Sequence, residues 1–548
     1  MAQIAIDDIS RQATSREKAS VAASLPHLVS MVNNFLPGQD PQPVLKQIEL
    51  VLQQNPQFLP TYYIRGMLLL SCDRLEEARR DFKTITRLMP DNFDAYCKLA
   101  VILLRMQRAE ESIACSKRAI EIDNSRAIAY YNLGLALHKA GCVADALDAM
   151  RQATTLDPEY TLAIYYSGVL LKQLQQPEAA LVEFEKALEK EPGNVGRLIQ
   201  HAMTSYDVQR PIEALDGLDR ALAIDPESNS ANFNKSLILM SLGEYAAAWP
   251  LYEFRKKLYA DYYPKWPNAA QWMGDTKLEG KRILVHLEQG LGDFIQNCRY
   301  TRLLAVGGAK VILQTPDELL GVAASLADSP TIVSRGDPLP DFDAYVALMS
   351  LPLAFNTTLD NVPADIPYLA CEEEKRRHWR MLLGQRHHKH RIGIVWSGSS
   401  KHPGDSLRSI PLALLEEVLQ MPCEFHVLQK EIRPVDQAAL DGMPQLNLWC
   451  DQLRDYTDVA ALIEEMELLI SVDTSVAHLG GALGKPVWLL LSYIPEYRWL
   501  LEGETTPWYP SFRIWRQEYM QGWQPVVSSV AQALASLLSC TTLPDSLR

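Results

Sequence analysis

Small side chains recur along the first half of the chain with a period of 34 residues. One series reads Gly66, Ala100, Gly134, Gly168, Ala202, Ser236, and a second reads Ala78, Ser112, Ala146, Ala180, Ala214, Ala248. A turn residue closes each unit at Pro90, Asn124, Pro158, Pro192 and Pro226. Each unit is expected to be two helices whose close crossing needs small residues, ended by a helix stop. Beyond residue 281 the pattern changes to short uninterrupted apolar runs between helical stretches. RILVHLE (282–288), AKVILQT (309–315) and FDAYVAL (342–348) form one series of strands. After the charged helical bridge CEEEKRRHWRMLLGQRHHKH (371–390), a second series follows: RIGIVWS, EFHVLQK, LNLWC, ELLISVD and PVWLLLS. Continuous apolar strands alternating with helices predict parallel sheets covered on both faces. Loops at the strand carboxyl ends of two such domains would face each other across a cleft.

The spacing and residue set of the first half, as in AYYNLGLALHKAGCVADALDAMRQATTLDP (129–158), resemble the tetratricopeptide repeat. The resemblance implies an α-helical superhelix whose concave face holds peptides or proteins, with an earlier degenerate unit ending near Pro56. A solubilising or dimerising spacer is the plainer reading of the same repeats. The sixth unit, SLGEYAAAWPLYEFRKKL (241–258), replaces small residues with Trp249, Tyr252 and Phe254, as a stack needs when its end is buried against another domain. The resulting division is a tail over 1–24, repeats over 25–258 and an ordered, aromatic-pinned linker over 259–281. An amino-side α/β domain over 282–385 and a carboxyl-side one over 386–548 complete it.

Composition narrows the classes. A net charge of −14 argues against nonspecific nucleic acid or anionic membrane surfaces, though not against a local basic pocket. No apolar run approaches the roughly 20 residues that span a bilayer. Nine scattered cysteines without a CxxC pair read as reduced thiols, and the N-terminus lacks the features of a signal peptide, so a cytoplasmic location is expected.

The chemistry sits in loops after apolar runs. In EQGLGDFIQNCRY (288–300) two glycines precede Asp293, a carboxylate where a phosphate loop would avoid one. There is no third glycine and no acidic partner after the next strand, so the loop is a poor dinucleotide fingerprint. In SVDTSVAH (471–478), Thr474 and Ser475 can present hydroxyls and first-turn N–H groups to an anion. His478 lies one turn on, and Asp473 is placed to orient the loop or hold a sugar hydroxyl. Simple helix capping by Asp473 or Thr474 is the competing reading. WSGSSKHPGDSLRSIP (396–411) offers hydroxyls, glycines, Lys401 and Arg408 to a phosphate, and Gln429 and Lys430 end another strand. Two metal-like patterns are read otherwise. Asp341-Phe342-Asp343 lies at a strand start, and HHKH (387–390) is a solvated run.

The tandem α/β pair, GxGD after the first strand, and DTSVAHLGGALGKPVWLLL near the end resemble the glycosyltransferase B-type fold, closest to the heptosyltransferase-like glycosyltransferase family 9. The fusion to repeats, with EYRWLLEGETTPWYPSFRIWRQ (496–517), resembles bacterial O-GlcNAc-transferase-like and flagellin-type protein glycosyltransferases. The resemblance implies two Rossmann-like domains facing a cleft. It makes Asp293 the general base, with Gln289, Gly290 and Gly292 in the acceptor-side loop. Donor contacts fall to Ser397, Gly398, Ser399, Arg408, Gln429, Lys430, Asp473, Thr474, Ser475 and His478. Heptosyltransferases follow their Asp with His and Pro where this chain has FIQNCRY, which speaks against ADP-heptose.

The function expected is inverting, metal-independent transfer of a sugar from a nucleotide sugar to a hydroxyl of a protein held by the repeats. No cofactor is expected beyond the donor substrate, and oligomers through the repeats remain open. Alternatives are a glycan or lipid-linked acceptor, with the repeats serving assembly, and a non-catalytic scaffold. Deleting residues 1–240 would separate the acceptor readings, and Asp293→Asn is expected to stop transfer without disturbing the fold.

Overall fold

A computed structural model describes residues 25–539 apart from 36–38, 265, 267–268, 386–388 and 403. The tail expected over 1–24, and His387 and His388 of the HHKH run, lie outside the described residues. The chain divides into two compact units, Met1–Asp225 and Pro226–Arg548.

The first unit is a stack of helical hairpins in the predicted register. Leu59–Ser71 pairs with Leu75–Leu88, and the pattern continues through Val195–Asp207 with Pro211–Ile224. The pair Leu25–Asn33 and Gln42–Gln54 is the degenerate earlier unit. The small-residue series is explained by what a side chain would strike. A Cβ on Gly66 would lie 2.7 Å from the Phe82 ring, and one on Gly168 would lie 2.8 Å from Phe184. Helix A therefore meets helix B backbone-close, with an aromatic filling the crossing. A left-handed residue joins the two helices at the same place in successive repeats: Asp73, Gln107, Gly141, Gln175, Gln209 and Gly243.

The second unit begins with the sixth hairpin, Asn229–Ser241 and Tyr245–Tyr252, and a short turn of helix, Arg255–Leu258. The border between the compact units thus falls after residue 225, inside the repeats expected over 25–258. The aromatic substitutions supply the reason. Trp249 Nε1 donates to Thr357 O at 2.9 Å, and Trp508 Nε1 donates to the Tyr245 hydroxyl at 2.9 Å, fixing the hairpin to the α/β body. A cut after residue 240 would sever this hairpin.

Among the described residues, eleven strands form two parallel sheets. The first contains β1 (Ala270–Gln271), β2 (Arg282–His286), β3 (Lys310–Thr315), β4 (Thr331–Ser334) and β5 (Ala344–Ala347), in the order β1-β5-β2-β3-β4. The expected linker 259–281 therefore also contributes an edge strand, β1, paired with β5. The second sheet contains β6 (Arg391–Val395), β7 (Glu424–Val427), β8 (Leu446–Leu448), β9 (Leu468–Val472), β10 (Val487–Leu491) and β11 (Phe512–Arg516). Its order, β11-β10-β9-β6-β7-β8, is doubly wound. The strand order reverses between β6 and β9, and between β2 and β5 in the first sheet. Ligand crevices of such sheets open at the carboxyl ends of these strands.

Candidate functional site

The loop after β9 carries Asp473 and Thr474 into the helix Ser475–Ala482. Thr474 is extended (φ −143°, ψ 167°) and its side chain makes no capping bond, so capping does not account for the polar run. The first-turn residues Ser475 and Val476 line the crevice. Asp473 Oδ2 accepts from Trp499 Nε1 at 2.8 Å, while its carbonyl accepts from Arg408 Nη1 at 3.1 Å. Ser475 Oγ meets the Tyr456 hydroxyl at 2.5 Å.

His478, 2% exposed, is stacked on Trp499 at 5.2 Å between ring centres. Its Nδ1 lies 2.9 Å from the Tyr509 hydroxyl and its Nε2 lies 3.4 Å from Arg498 Nη1. Burial pushes its pKa well below the usual value, and Arg498, Arg299 and Arg408 push in the same direction. Since an arginine can only donate, the assigned tautomer accepts at Nε2 and donates from Nδ1 to Tyr509. His478 lines the cavity, with its two ring nitrogens turned to Tyr509 and Arg498.

The loop after β6 is folded back by a polar network. Ser409 Oγ accepts from Gly398 N–H at 3.2 Å and donates to Asp405 at 3.0 Å, and Asp405 pairs with Arg433. A Cβ on Gly398 would sit 2.6 Å from Arg408 Nη2, so glycine lets that guanidinium cross the loop. Gln429 turns out to be a loop organiser. Its Oε1 accepts from Trp396 N–H at 3.1 Å, and its Nε2 donates to Ser397 Oγ at 3.1 Å and Glu431 O at 3.0 Å. Lys430 Nζ reaches Arg454 O at 3.2 Å at the exposed rim.

On the opposite side, Gly290 N-caps the helix Leu291–Asn297. Asp293 Oδ2 accepts the Gly290 N–H at 3.0 Å, the returning half of a capping box. Asp293 Oδ1 accepts from Arg498 Nη2 at 2.6 Å, and Arg498 Nη1 also donates to Gln296 at 3.1 Å. A Cβ on Gly292 would fall 2.9 Å from His478 Cδ2, so the helices of the two sheets approach as closely as they do only over glycine.

Together these loops enclose a cavity of about 690 Å³. Gly290, Gly292, Asp293, Ser397, Gly398, Ser399, Arg408, Gln429, Lys430, Asp473, Thr474, Ser475 and His478 all line it. Gln289 does not. Its backbone is left-handed (φ 61°) and its Nε2 donates to the Tyr252 hydroxyl at 2.7 Å, away from the crevice. Sequence reasoning missed Arg498, which lies 205 positions from its partner Asp293 in a short turn with no helical or strand period. Its only signal was its place in the segment 496–517.

Where they are described, the residues of the two metal-like patterns contact groups of the protein itself. Arg282 Nη2 pairs with Asp343 at 2.8 Å and its Nη1 with Asp341 at 3.7 Å, and His390 Nδ1 meets Glu467 at 2.7 Å. Among the described residues no group of three or more His, Cys, Asp or Glu is gathered to hold a metal. No described helix is long and apolar enough to cross a membrane.

Family profiles described as TPR repeat and Tetratricopeptide repeat match residues 102–141 and 127–160. The chain therefore carries tetratricopeptide repeats. It is 26% identical over 341 residues to Protein FlbA of Caulobacter vibrioides, covering 55% of this chain and 54% of that protein. The chain thus spans about half the length of the curated relative it matches. Solved structures with similar parts include YrrB, described as a TPR protein with an unusual peptide-binding site. It is 23% identical, with a TM-score of 0.30, covering 35% of this chain and 98% of that one. PilW, described as a type IV pilus biogenesis factor, is 18% identical with a TM-score of 0.36, covering 38% of this chain and 97% of that one.

Proposed function

We propose that the second unit is a nucleotide-sugar-dependent glycosyltransferase of the B-type fold, acting on a protein acceptor brought by the repeats. The observation that carries the reading is the polarity of the cavity. A carboxylate, Asp293, stands on the wall from the first sheet. Arg408, the Ser397–Ser399 loop and the open N-terminus of Ser475–Ala482 stand on the wall from the second. A helix N-terminus with an arginine suits a diphosphate. A carboxylate facing it suits a hydroxyl nucleophile.

In this reading the acceptor hydroxyl gives its proton to a free lone pair of Asp293 as its oxygen attacks the anomeric carbon. The bond from that carbon to the β-phosphate oxygen breaks on the opposite face, so configuration inverts. The electron pair leaves with the nucleoside diphosphate. Arg408, Lys401 and Lys430 neutralise the departing charge, so the mechanism does not call on a metal ion. Asp473 orients a sugar or ribose hydroxyl. His478 acts indirectly, by holding Arg498.

The test is turnover of a panel of nucleotide sugars by the full chain, with candidate protein acceptors present, read as nucleoside diphosphate released. At least one donor is expected to be consumed, and labelled sugar to appear on protein. Release indistinguishable from the blank for every donor would overturn the reading. Removing residues 1–225, the border between the compact units, then asks whether the repeats deliver the acceptor. Loss of protein glycosylation with donor binding kept is the expected outcome.

A further inference from the structure

The sixth hairpin departs from its siblings in more than its aromatic packing: it reaches the loop that carries Asp293. Arg255, 1% exposed, sends Nη2 to Glu288 Oε1 at 2.7 Å and Nε to Glu288 Oε2 at 3.1 Å. Glu288 also accepts from Met349 N–H at 2.8 Å and from the Tyr263 hydroxyl at 2.5 Å. The next residue, Gln289, is left-handed, a conformation that side chains other than glycine rarely hold without help. Its amide is anchored on the hydroxyl of Tyr252, a side chain that is 2% exposed and hemmed in by Phe233, Trp249 and Tyr497. Gly290, the following residue, gives its N–H to Asp293. A continuous set of contacts therefore runs from the last repeat into the carboxylate's own loop.

We propose that the sixth hairpin is a positioning element of the cavity, not part of a peptide-holding groove, with Tyr252 and Arg255 fixing Glu288–Gln289 so that Gly290–Asp293 faces the opposite wall. Neither residue touches the cavity, so their effect is on geometry. The kinetic consequence rests on the transferase reading above; the geometric one does not. The hairpin after residue 225 thereby belongs to the compact unit that holds the α/β body.

The experiment uses the full chain with Tyr252→Phe, which keeps the ring and deletes the hydroxyl, and Tyr252→Phe combined with Gln289→Gly, since glycine holds the left-handed turn unaided. Hydrogen exchange of the peptide spanning 287–297 is expected to quicken about tenfold in the single variant and to return toward wild type in the double. Exchange in β6 and β9 should not change. Arg255→Lys, which cannot grip Glu288 with two parallel bonds, should give the same local signature. In turnover, the single variant should lose about tenfold in kcat with donor KM within twofold, and the double should recover. Unchanged exchange in both Tyr252→Phe and Arg255→Lys, or no recovery with glycine at 289, would overturn the proposal. A loop that responds in a protein that consumes no nucleotide sugar would sustain the positioning role and sink the transferase reading instead.

Discussion

Replacing Asp293 with asparagine removes a charge from a carboxylate whose two oxygens both have partners. Oδ1 receives Arg498 and Oδ2 receives the Gly290 N–H. An asparagine has one acceptor, so it keeps one of these bonds and turns an N–H₂ toward the other donor. Loss of the cap costs about 1 kcal/mol. The larger effect falls on Arg498, whose side chain is 8% exposed against 16% for Asp293. Removing one partner of a buried pair costs about 3–5 kcal/mol. The partial exposure of Asp293, and Glu496 at 3.9 Å from the same guanidinium, place this pair near the lower end. Asp293→Asn is therefore expected to destabilise the second unit by about 3–4 kcal/mol, so it is not the structurally silent change that the sequence alone suggests. All eleven tryptophans lie at or after Trp249, so their fluorescence during urea unfolding reports the second unit alone. With Arg498→Gln already in place, Asp293→Asn should cost at least 1.5 kcal/mol less, a coupling of order 2 kcal/mol. A single variant within about 0.5 kcal/mol of wild type, or a coupling near zero, would refute the reasoning.

Two glycines of the cavity are expected to behave differently. Gly292→Ala drives a methyl to 2.9 Å from a ring fixed by Trp499 and Tyr509, and should destabilise the second unit by about 1–3 kcal/mol in urea titration. Gly398→Ala displaces the Arg408 guanidinium, 2.6 Å away, from the Asp473 carbonyl, and should cost about 1 kcal/mol of stability while weakening nucleoside diphosphate binding about tenfold in calorimetry. His286 gives a pH dependence. It is 3% exposed, and burial pushes its pKa from 6.5 down to about 4. Between those values the unfolded chain binds the proton and the folded one does not, so stability falls as pH drops from about 6.5 toward 4. The slope attributable to this residue is at most about 1.4 kcal/mol per pH unit, and His286→Phe should remove it from urea midpoints measured at pH 7, 6 and 5.

The repeats and the central strands were legible because their physics is local or periodic. β2, β6, β9 and β10 are buried on both faces, so their centres, ILV, IGIV, LLI and VWLLL, read as short runs without polar alternation. The strands that the pattern does not show, β1, β4 and β11, all lie at sheet edges. β1 is two residues long, and β4 and β11 carry exposed positions. The loops after β2, β6 and β9 declared themselves by glycines and hydroxyls following such runs. What the sequence hid were partnerships made by the fold. Arg498 meets Asp293 only because Tyr497–Trp499 turns back over the crevice. Gln289, in the loop expected on the acceptor side, has a left-handed backbone and gives its amide to Tyr252. The Gln429 amide is consumed in holding its own loop.

The central claim is that the wall formed by Arg408, Ser397–Ser399 and the first turn of Ser475–Ala482 holds a nucleoside diphosphate. It is tested most directly by calorimetric titration of the full chain with UDP, ADP, GDP and CDP, repeated on Arg408→Ala. Saturable binding of one of them with one site per chain, weakened at least tenfold in the variant, is the expected result. No binding by any of the four, or an affinity indifferent to Arg408, would contradict it.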